Sequence, residues 1–242
     1  MEDVAREVMS PVRKPKRFRQ VIADGVDDIW AMDLAEMGEW EKENDGYKFI
    51  MVVIDVFSRF AWCVPMKKKD AGTSWEAFET VLAGRTPNKI WVDQGGEFYN
   101  AVWDRKLKAL DITRYSTYSA YKVSVAERFI RTLKEKIWFN FVKNGDRKWL
   151  NLLDGIVEEY NNTVNYTGLS PKAARRRENE RKILKLYKRT KVVRPKFKLG
   201  SWVRIARTKD VFEKGFHPRW TYEIFKIVKI RLNQPTTYYL QD

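Results

Sequence analysis

The sequence contains very little cysteine and histidine. Its 242 residues include one cysteine, Cys63, and one histidine, His217. A disulfide within the chain is therefore excluded, and the two residues cannot supply the four ligands of a His/Cys zinc site. Cys63 lies in the apolar run FAWCVPM, which indicates a buried thiol, and His217 is interpreted as structural. Any bound metal ion must be held by oxygen.

Long apolar segments are also missing. No run approaches the roughly 18 apolar residues of a membrane span, and the first residues, MEDVAREVMSPVRKPKRFR, lack the apolar segment of a signal peptide. These absences favour an intracellular protein.

Positive charge is abundant. Forty-seven Lys and Arg against thirty-two Asp and Glu leave a formal charge of +15, which favours a polyanionic partner such as nucleic acid. Hydrophobic residues make up 44 % of the chain and aromatic residues 14 %, enough to fill real cores. We therefore expect a folded protein that binds a polyanion.

The chain divides into four segments by composition. Residues 1–25 are polar and basic, and we expect a flexible arm there. Residues 26–171 contain three strand patterns joined by short turns and then alternating helix and strand patterns, which predict an α/β domain with a mixed five-stranded sheet flanked by helices. A long helix is predicted over 125–141, because Ala126, Phe129, Leu133 and Ile137 recur at helical spacing.

The last two segments are basic and β-rich. Residues 172–196 form a basic connector, with thirteen Lys or Arg and two Glu over 172–198. A solvated linker and a phosphate contact both remain open for it. Residues 197–242 hold short aromatic strands that predict a small β-barrel, and we expect this barrel to be truncated at Asp242. Its aromatic residues fit core packing better than a methyl-lysine cage; they are Trp202, Trp220, Tyr222 and Phe225.

Three acids are candidates for a metal site. Asp33 lies within an apolar strand, Asp93 ends another, and Glu127 lies on the polar face of the long helix. A carboxylate in a sheet core is costly unless it is paired or binds a cation, and Mg²⁺ and Mn²⁺ prefer carboxylate oxygens. Taken singly, each acid has a plainer interpretation. Asp33 would be a turn acid, Asp93 a helix N-cap, and Glu127 an exposed helix residue paired with Arg131. Asp55 is interpreted as a turn residue.

Five segments resemble the core of retroviral-type integrases, in the same order. They are IWAMDLAEM, VIDVFSRFAWCVPMKKKDA, KIWVDQGGEFYN, YSAYKVSVAERFIRTLKEKI and YNNTVNYTGLSP, and Asp93 and Glu127 lie 127 − 93 = 34 positions apart, close to the D,D-35-E pattern of that family. The resemblance implies a ribonuclease-H-like fold and two Mg²⁺ or Mn²⁺ ions held by Asp33, Asp93 and Glu127. The tail most resembles the chromodomain-like end of Maverick or Polinton integrases, an SH3-like or chromodomain-like barrel.

The sequence departs from the family pattern at several positions. Ala120 and Ser124 stand where Pro and Gly are usual before the glutamate, and Asn165 stands where many relatives have histidine. No zinc-binding His/Cys domain precedes the core, so assembly is expected to be weaker. Candidate DNA contacts are Lys134 and Arg131 on the helix of Glu127, Tyr118 before it, and the connector arginines Arg175, Arg176 and Arg177.

The resemblance implies a DNA integrase or transposase that processes DNA 3′ ends and joins them to a target. The partners implied are double-stranded DNA, further copies of the chain and, through the tail, chromatin. We expect the protein in the nucleus of a eukaryotic host or in a virion. Two alternatives remain open: a non-enzymatic DNA- or chromatin-binding protein derived from a mobile element, and a simple nuclease of the same fold.

Overall fold

The structure is a computed structural model that describes residues 2–12, 21–116, 124–186, 194–207, 217–232 and 236–242. These residues form two compact units: a core unit, Val21–Lys188, and a terminal unit made of Met1–Gln20 and Arg189–Asp242. Across the described ranges, no helix combines the length and the apolar character needed to cross a bilayer. The elements in chain order are α1 (Glu2–Met9), β1 (Ile29–Glu36), β2 (Phe49–Asp55), β3 (Ala61–Met66), α2 (Ala71–Val81), β4 (Lys89–Trp91), α3 (Ala101–Ala109), β5 (Thr113–Tyr115), α4 (Ser124–Asn144), α5 (Leu153–Asn162), α6 (Pro171–Ala174), α7 (Arg177–Leu186), β6 (Trp202–Val203), β7 (Phe225–Arg231) and β8 (Thr237–Gln241).

The core unit is built on a five-stranded mixed sheet with the strand order β3-β2-β1-β4-β5. The first three strands are antiparallel, whereas β4 runs parallel to both β1 and β5. Short turns join the antiparallel strands, and helices make the longer connections that parallel strands require. The mixed five-stranded sheet predicted from the sequence is confirmed.

Helices cover both faces of this sheet, so its central strands are apolar on both sides. In β2, Ile50, Val52 and Ile54 face a main core under α4 and α5, while Met51 and Val53 face a second core under α2 and α3. The buried stripe of α4 is the one that the sequence predicts: Ala126, Phe129, Leu133, Ile137 and Phe141.

The second core is unusually aromatic. Trp103 lies 5.0 Å from Trp75 and 5.2 Å from Phe78, measured between ring centroids. The Trp103 indole donates to the Ser74 hydroxyl at 3.0 Å, and this hydroxyl donates to the Glu97 carbonyl at 2.9 Å. Satisfying the indole N–H in this way lets a large ring be buried without an unpaired donor.

The first half of the basic connector packs on the core unit. In α6 and α7, Ala174 and Ile183 are fully buried in the main core. The Asn179 side chain donates to the Ala173 carbonyl at 2.9 Å and links the two helices. The core unit therefore extends beyond the predicted boundary at residue 171.

The terminal unit contains a three-stranded antiparallel sheet, β6-β7-β8, which confirms a small C-terminal β domain. The composition of residues 1–25 predicts a flexible arm, but Glu2–Met9 form the helix α1, which belongs to this unit. The basic residues at 13–19 lie outside the described residues. Val21 and Ala23 already pack in the main core.

The barrel aromatics were expected to pack in a core, and this expectation is wrong for Trp202 and Tyr222. Their exposed fractions are 62 % and 66 %. A small three-stranded sheet has one narrow buried stripe, and Ile227 occupies it here. Trp202 and Tyr222 therefore remain in solvent.

Candidate active site

Asp33 lies within β1, and Asp93 follows the end of the neighbouring strand β4 by two residues. The strands β1 and β4 are parallel, and their last paired residues are Ala31 and Trp91. Asp33 and Asp93 each follow these partners by two residues. The Val92 N–H donates to the Tyr115 carbonyl at 3.2 Å, so the β4 backbone keeps its sheet pairing up to the residue before Asp93. Sheet register, which no local sequence pattern contains, thus places the two acids equally far along the chain from the last β1–β4 pair.

The face that carries Asp33 is the one covered by α4. Side chains two residues apart in a strand share a face, and Ala31 and Ala35 both pack in the main core with Ala126 of α4. Asp33 lies between them and is half-buried, in a strand whose neighbouring residues are buried. Its Oδ1 atom accepts a hydrogen bond from the Leu34 N–H at 2.8 Å.

Glu127 lies in the first turn of α4 and is exposed. Its neighbour Ala126 is fully buried against the sheet, so the helix is held there by packing that does not involve the carboxylate. Arg131 and Lys134 are also exposed, and the 3.6-residue helical repeat places them on the same side as Glu127. The polar face predicted for this helix is therefore present.

The three acids are not assembled into a closed metal site. Throughout the described ranges, no group of three or more His, Cys, Asp or Glu side chains is arranged to hold a metal ion. Asp33 and Asp93 each follow the last β1–β4 pair by two residues, and Glu127 forms no such group with them. The residues that directly precede α4, including Tyr118 and Ala120, lie outside the described residues.

Arg175, Arg176 and Arg177 have different environments. The Arg175 guanidinium packs over the rings of Phe60, at 4.2 Å, and Trp62, at 4.8 Å. Burial lowers the pKa of Arg175, and the charge of Arg85 lowers it further. Arg176 and Arg177 are exposed. The last two are therefore accessible to phosphate, whereas Arg175 is engaged in packing.

Asp55 closes the turn between β2 and β3. Its fully buried carboxylate accepts hydrogen bonds from the Ser58 hydroxyl, from the Ser58 N–H at 3.1 Å and from the Phe57 N–H at 3.3 Å. Burial raises the pKa of Asp55 above its ordinary value, against the opposing effect of these donors. Arg59 follows with a φ of 67°, and its guanidinium donates to the Tyr166 hydroxyl at 3.1 Å. This geometry gives Asp55 a turn-forming role.

Asn161 is an anchoring residue that the sequence reasoning missed. Its side chain accepts from the Ala61 N–H at 2.9 Å and donates to the Ala61 carbonyl at 2.8 Å, 100 residues away in the chain. Both bonds are buried, and they fasten α5 to the edge strand β3. The available signal was an Asn on the buried face of a helix, a position that requires a hydrogen-bonding partner.

Asn165 organises the turn that follows α5. Its side chain accepts from the Thr167 N–H at 2.9 Å and from the Thr167 hydroxyl at 2.7 Å, and its backbone N–H donates to the Leu169 carbonyl at 3.1 Å. The residue that stands in place of the usual histidine is therefore a turn residue here.

A cavity of about 350 Å³ lies between β3 and α5, away from the three acids. Cys63, Asp154 and Asn161 are among its lining residues. Burial raises the pKa of the Cys63 thiol well above its ordinary value, which keeps the thiol protonated and unreactive.

Comparison with known proteins identifies the core. Residues 23–120 match the family model of the integrase core domain. The chain is 32 % identical over 191 residues to an uncharacterised transposon-derived protein of Caenorhabditis elegans, covering 78 % of this chain and 65 % of that protein. It is 27 % identical over 146 residues to the Pol polyprotein of radiation murine leukemia virus, covering 59 % of this chain and 25 % of the polyprotein.

Residues 23–120 are thus identified as an integrase core domain of the retroviral type. The fold agrees with this assignment. The HTLV-2 integrase catalytic core domain, solved in complex with magnesium, aligns with a TM-score of 0.53 at 16 % identity, covering 63 % of this chain and 98 % of that domain. A chain of the simian T-cell lymphotropic virus intasome, solved with a PP2A regulatory subunit, aligns with a TM-score of 0.67 at 15 % identity. The alignment covers 93 % of this chain and 77 % of that chain. The predicted ribonuclease-H-like fold is confirmed.

The residues matched by the integrase core domain include two of the three candidate acids. The family model covers Asp33 and Asp93 and ends before Glu127. The chain spans about two thirds of the length of its nematode relative and a quarter of the viral polyprotein. The closer resemblance of the tail to Maverick or Polinton integrases remains a prediction.

Proposed function

We propose that this protein is a DNA integrase or transposase that processes DNA 3′ ends and joins them to target DNA with the help of a divalent metal. One observation carries the proposal: Asp33 and Asp93 each follow the last pair of the adjacent parallel strands β1 and β4 by two residues, and α4, which packs on this sheet, carries Glu127 in its first turn. The match of residues 23–120 to the integrase core domain supports it. A protein that only binds DNA has no use for acids in this position.

The donor set fits a hard divalent cation. Hard divalent cations prefer carboxylate oxygens as ligands, and Asp33, Asp93 and Glu127 all supply such oxygens. Asp33, Asp93 and Glu127 would hold Mg²⁺ or Mn²⁺, two ions in all, through carboxylate oxygens. When bound, such ions stabilise the charge that develops on the attacking and leaving oxygens in phosphoryl transfer.

The chain's own residues position the DNA. Arg131 and Lys134 extend from the exposed side of α4 on which Glu127 lies, so a phosphate backbone held by them runs past this acid. Arg176 and Arg177 are exposed at the start of α7 and add further phosphate contacts. Together with the formal charge of +15, these residues favour double-stranded DNA as the substrate.

No side chain of the core unit is needed as a nucleophile. The single histidine of the chain is residue 217, so Val21–Lys188 contains no histidine to activate a serine or cysteine. The thiol of Cys63 stays protonated because burial raises its pKa. The attacking oxygen is therefore supplied by water during end processing and by the DNA 3′-hydroxyl during joining.

We extend the proposal to the protein's setting. It acts as an oligomer on DNA ends and target, in the nucleus or a virion, and its terminal unit contacts chromatin. Solved structures of similar fold include a dimeric and a trimeric form of the HTLV-2 integrase catalytic core domain and the simian T-cell lymphotropic virus intasome.

A single incubation separates the proposed function from its alternatives. Purified protein is mixed with duplexes that carry the terminal sequence of the encoding element, with Mn²⁺ or with EDTA. Joined products that require Mn²⁺ support the proposal, cut products alone indicate a simple nuclease, and a shifted complex alone indicates a DNA-binding protein.

The matched variants are Asp33→Asn and Asp45→Asn. Asp45 is exposed and adopts the left-handed conformation with a φ of 52°, which asparagine tolerates well, so its substitution changes the same charge away from the proposed site. Only Asp33→Asn is expected to abolish joining. Equal activity of the two variants would remove Asp33 from the site.

A further inference from the structure

One lysine connects the segments that follow the two candidate aspartates. The Lys69 Nζ atom lies 3.8 Å from Glu36 Oε1 and 3.4 Å from Glu97 Oε1. Glu36 ends β1, three positions after Asp33. Glu97 lies in the turn after β4, four positions after Asp93. We call Lys69, Glu36 and Glu97 the lysine bridge, which joins the strand of one aspartate to the turn that follows the other.

The Glu97 end of the lysine bridge is fixed by contacts within its own turn. The Glu97 carboxylate lies against the backbone of Gly95, and the missing Cβ of this glycine leaves room for it, because a Cβ atom would overlap the carboxylate. Tyr99 and Phe98 donate their N–H groups to the Gly95 carbonyl, at 2.9 and 3.1 Å. The Glu97 carbonyl accepts from the Ser74 hydroxyl of α2 at 2.9 Å. Lys69 therefore holds a side chain that packs on the backbone directly after β4.

Glu97 is nearly buried and relies on Lys69 for a positive partner. The exposed fraction of the Glu97 side chain is 12 %, against 69 % for Glu36. Among the residues that the structure describes, Lys69 is the only cationic residue within ion-pair distance of Glu97. A carboxylate withdrawn from water needs such a partner, whereas an ion pair at an exposed carboxylate contributes little. The contact with Glu97 is therefore the stronger end of the lysine bridge.

The Glu36 end of the lysine bridge and Asp33 lie on different faces of the sheet. Side chains two residues apart in a strand share a face, and Leu34, two residues before Glu36, packs in the second core under α2 and α3. Asp33 shares the opposite face with Ala31 and Ala35, which pack in the main core under α4. The lysine bridge can therefore act on Asp33 only through the backbone of β1.

We propose that Lys69 is a positioning residue that fixes the distance between Asp33 and Asp93 for a divalent cation. The inference rests on the proposed function, because only a shared ion makes this distance matter. Residues that orient metal ligands without contacting the metal commonly change its affinity by roughly 10–100-fold. The direct effect of the Lys69 charge on a cation is repulsive. Removing Lys69 thus strengthens metal binding if charge alone acts, but weakens it if Lys69 positions the ligands.

Binding of Mn²⁺ to the full chain tests the proposal, without DNA and without turnover. The electron paramagnetic resonance signal of free Mn²⁺ reports the affinity of Lys69→Met and of Glu97→Gln, which remove charges of opposite sign. Positioning predicts that each variant binds Mn²⁺ about tenfold more weakly. Charge alone predicts stronger binding by Lys69→Met and weaker binding by Glu97→Gln. The double variant should bind no more weakly than either single variant, because both substitutions break the same contact.

Lys68→Met is the matched control. Lys68 is the neighbouring exposed lysine, and its substitution removes the same charge outside the lysine bridge. We expect Lys68→Met to bind Mn²⁺ as the wild type does, and Lys69→Arg, which keeps the ion pair, to do the same. If Lys69→Met does not unfold cooperatively in urea, Lys69→Gln replaces it in the comparison.

The outcomes separate this inference from the proposed function. Binding by Lys69→Met that equals or exceeds that of Lys68→Met would overturn the positioning role alone. If the wild type does not bind Mn²⁺, or if Asp33→Asn binds it equally well, the proposed function fails and the positioning role fails with it.

Discussion

Replacing Glu127 by glutamine is expected to abolish cutting and joining of DNA while leaving duplex binding nearly unchanged. The substitution keeps the shape of the side chain and removes only its charge. Glu127 is exposed, and the neighbouring Ala126 provides the packing that holds this turn of α4. The folded structure should therefore tolerate the change.

The cost to folding can be bounded from the position of Glu127. An acid in the first turn of a helix stabilises it by about 0.3–1 kcal/mol, and an acid four residues before an arginine, here Arg131, adds about 0.2–0.5 kcal/mol. Neither effect acts on the reaction barrier. Loss of a metal-holding carboxylate is expected to raise that barrier by roughly 4 kcal/mol, which corresponds to about a thousandfold in rate.

Glu135→Gln is the matched control. Glu135 lies on the same helix, is exposed, and also stands four residues from Arg131, on its other side. Both substitutions therefore remove one charge from the surroundings of the same arginine. The assay compares the two variants for release of the processed strand, for strand joining and for binding of a labelled duplex. If Glu127→Gln stays within a few-fold of Glu135→Gln in activity, the assignment of Glu127 and the three-carboxylate site fail.

Three further outcomes are expected. Duplex affinity should fall about 10³-fold between 50 and 200 mM salt, with a log–log slope near −5 if roughly six phosphates are neutralised, and a flat dependence in a binding titration would contradict this. Asn161→Ala should lower the free energy of unfolding by about 1–3 kcal/mol, because it leaves the Ala61 N–H and carbonyl buried without partners, whereas the exposed Asn162→Ala should change it little in urea denaturation. Because burial raises the pKa of Asp55, its contribution to stability is full below the unfolded-state pKa and is lost as pH rises through the folded-state pKa. The free energy of unfolding of Asp55→Asn, relative to that of the wild type, should therefore increase as pH rises through the folded-state pKa. Denaturation curves at several pH values that show the opposite trend would refute the reasoning.

Local sequence patterns determined the secondary structure of the core. The helix predicted over 125–141 is present as Ser124–Asn144, the strand pattern around Asp33 is β1, and the strand predicted to end at Asp93 is β4, which ends at Trp91. These predictions succeeded because the spacing of apolar residues records which face of an element is buried. The types of residue at the candidate site also indicated oxygen ligands before any fold was known.

Tertiary structure alone decided how distant segments meet. The parallel pairing of β1 with β4 ends two residues before both Asp33 and Asp93, which are sixty positions apart in the chain, and the double hydrogen bond of Asn161 to Ala61 spans 100 positions. The ion pair between Glu7 of α1 and Arg204 and the exposure of Trp202 could not be predicted from the sequence either. The spacing of apolar residues indicates that one face of a helix or strand is buried, but it does not identify the element that covers this face. That element is selected by contacts between residues far apart in the chain.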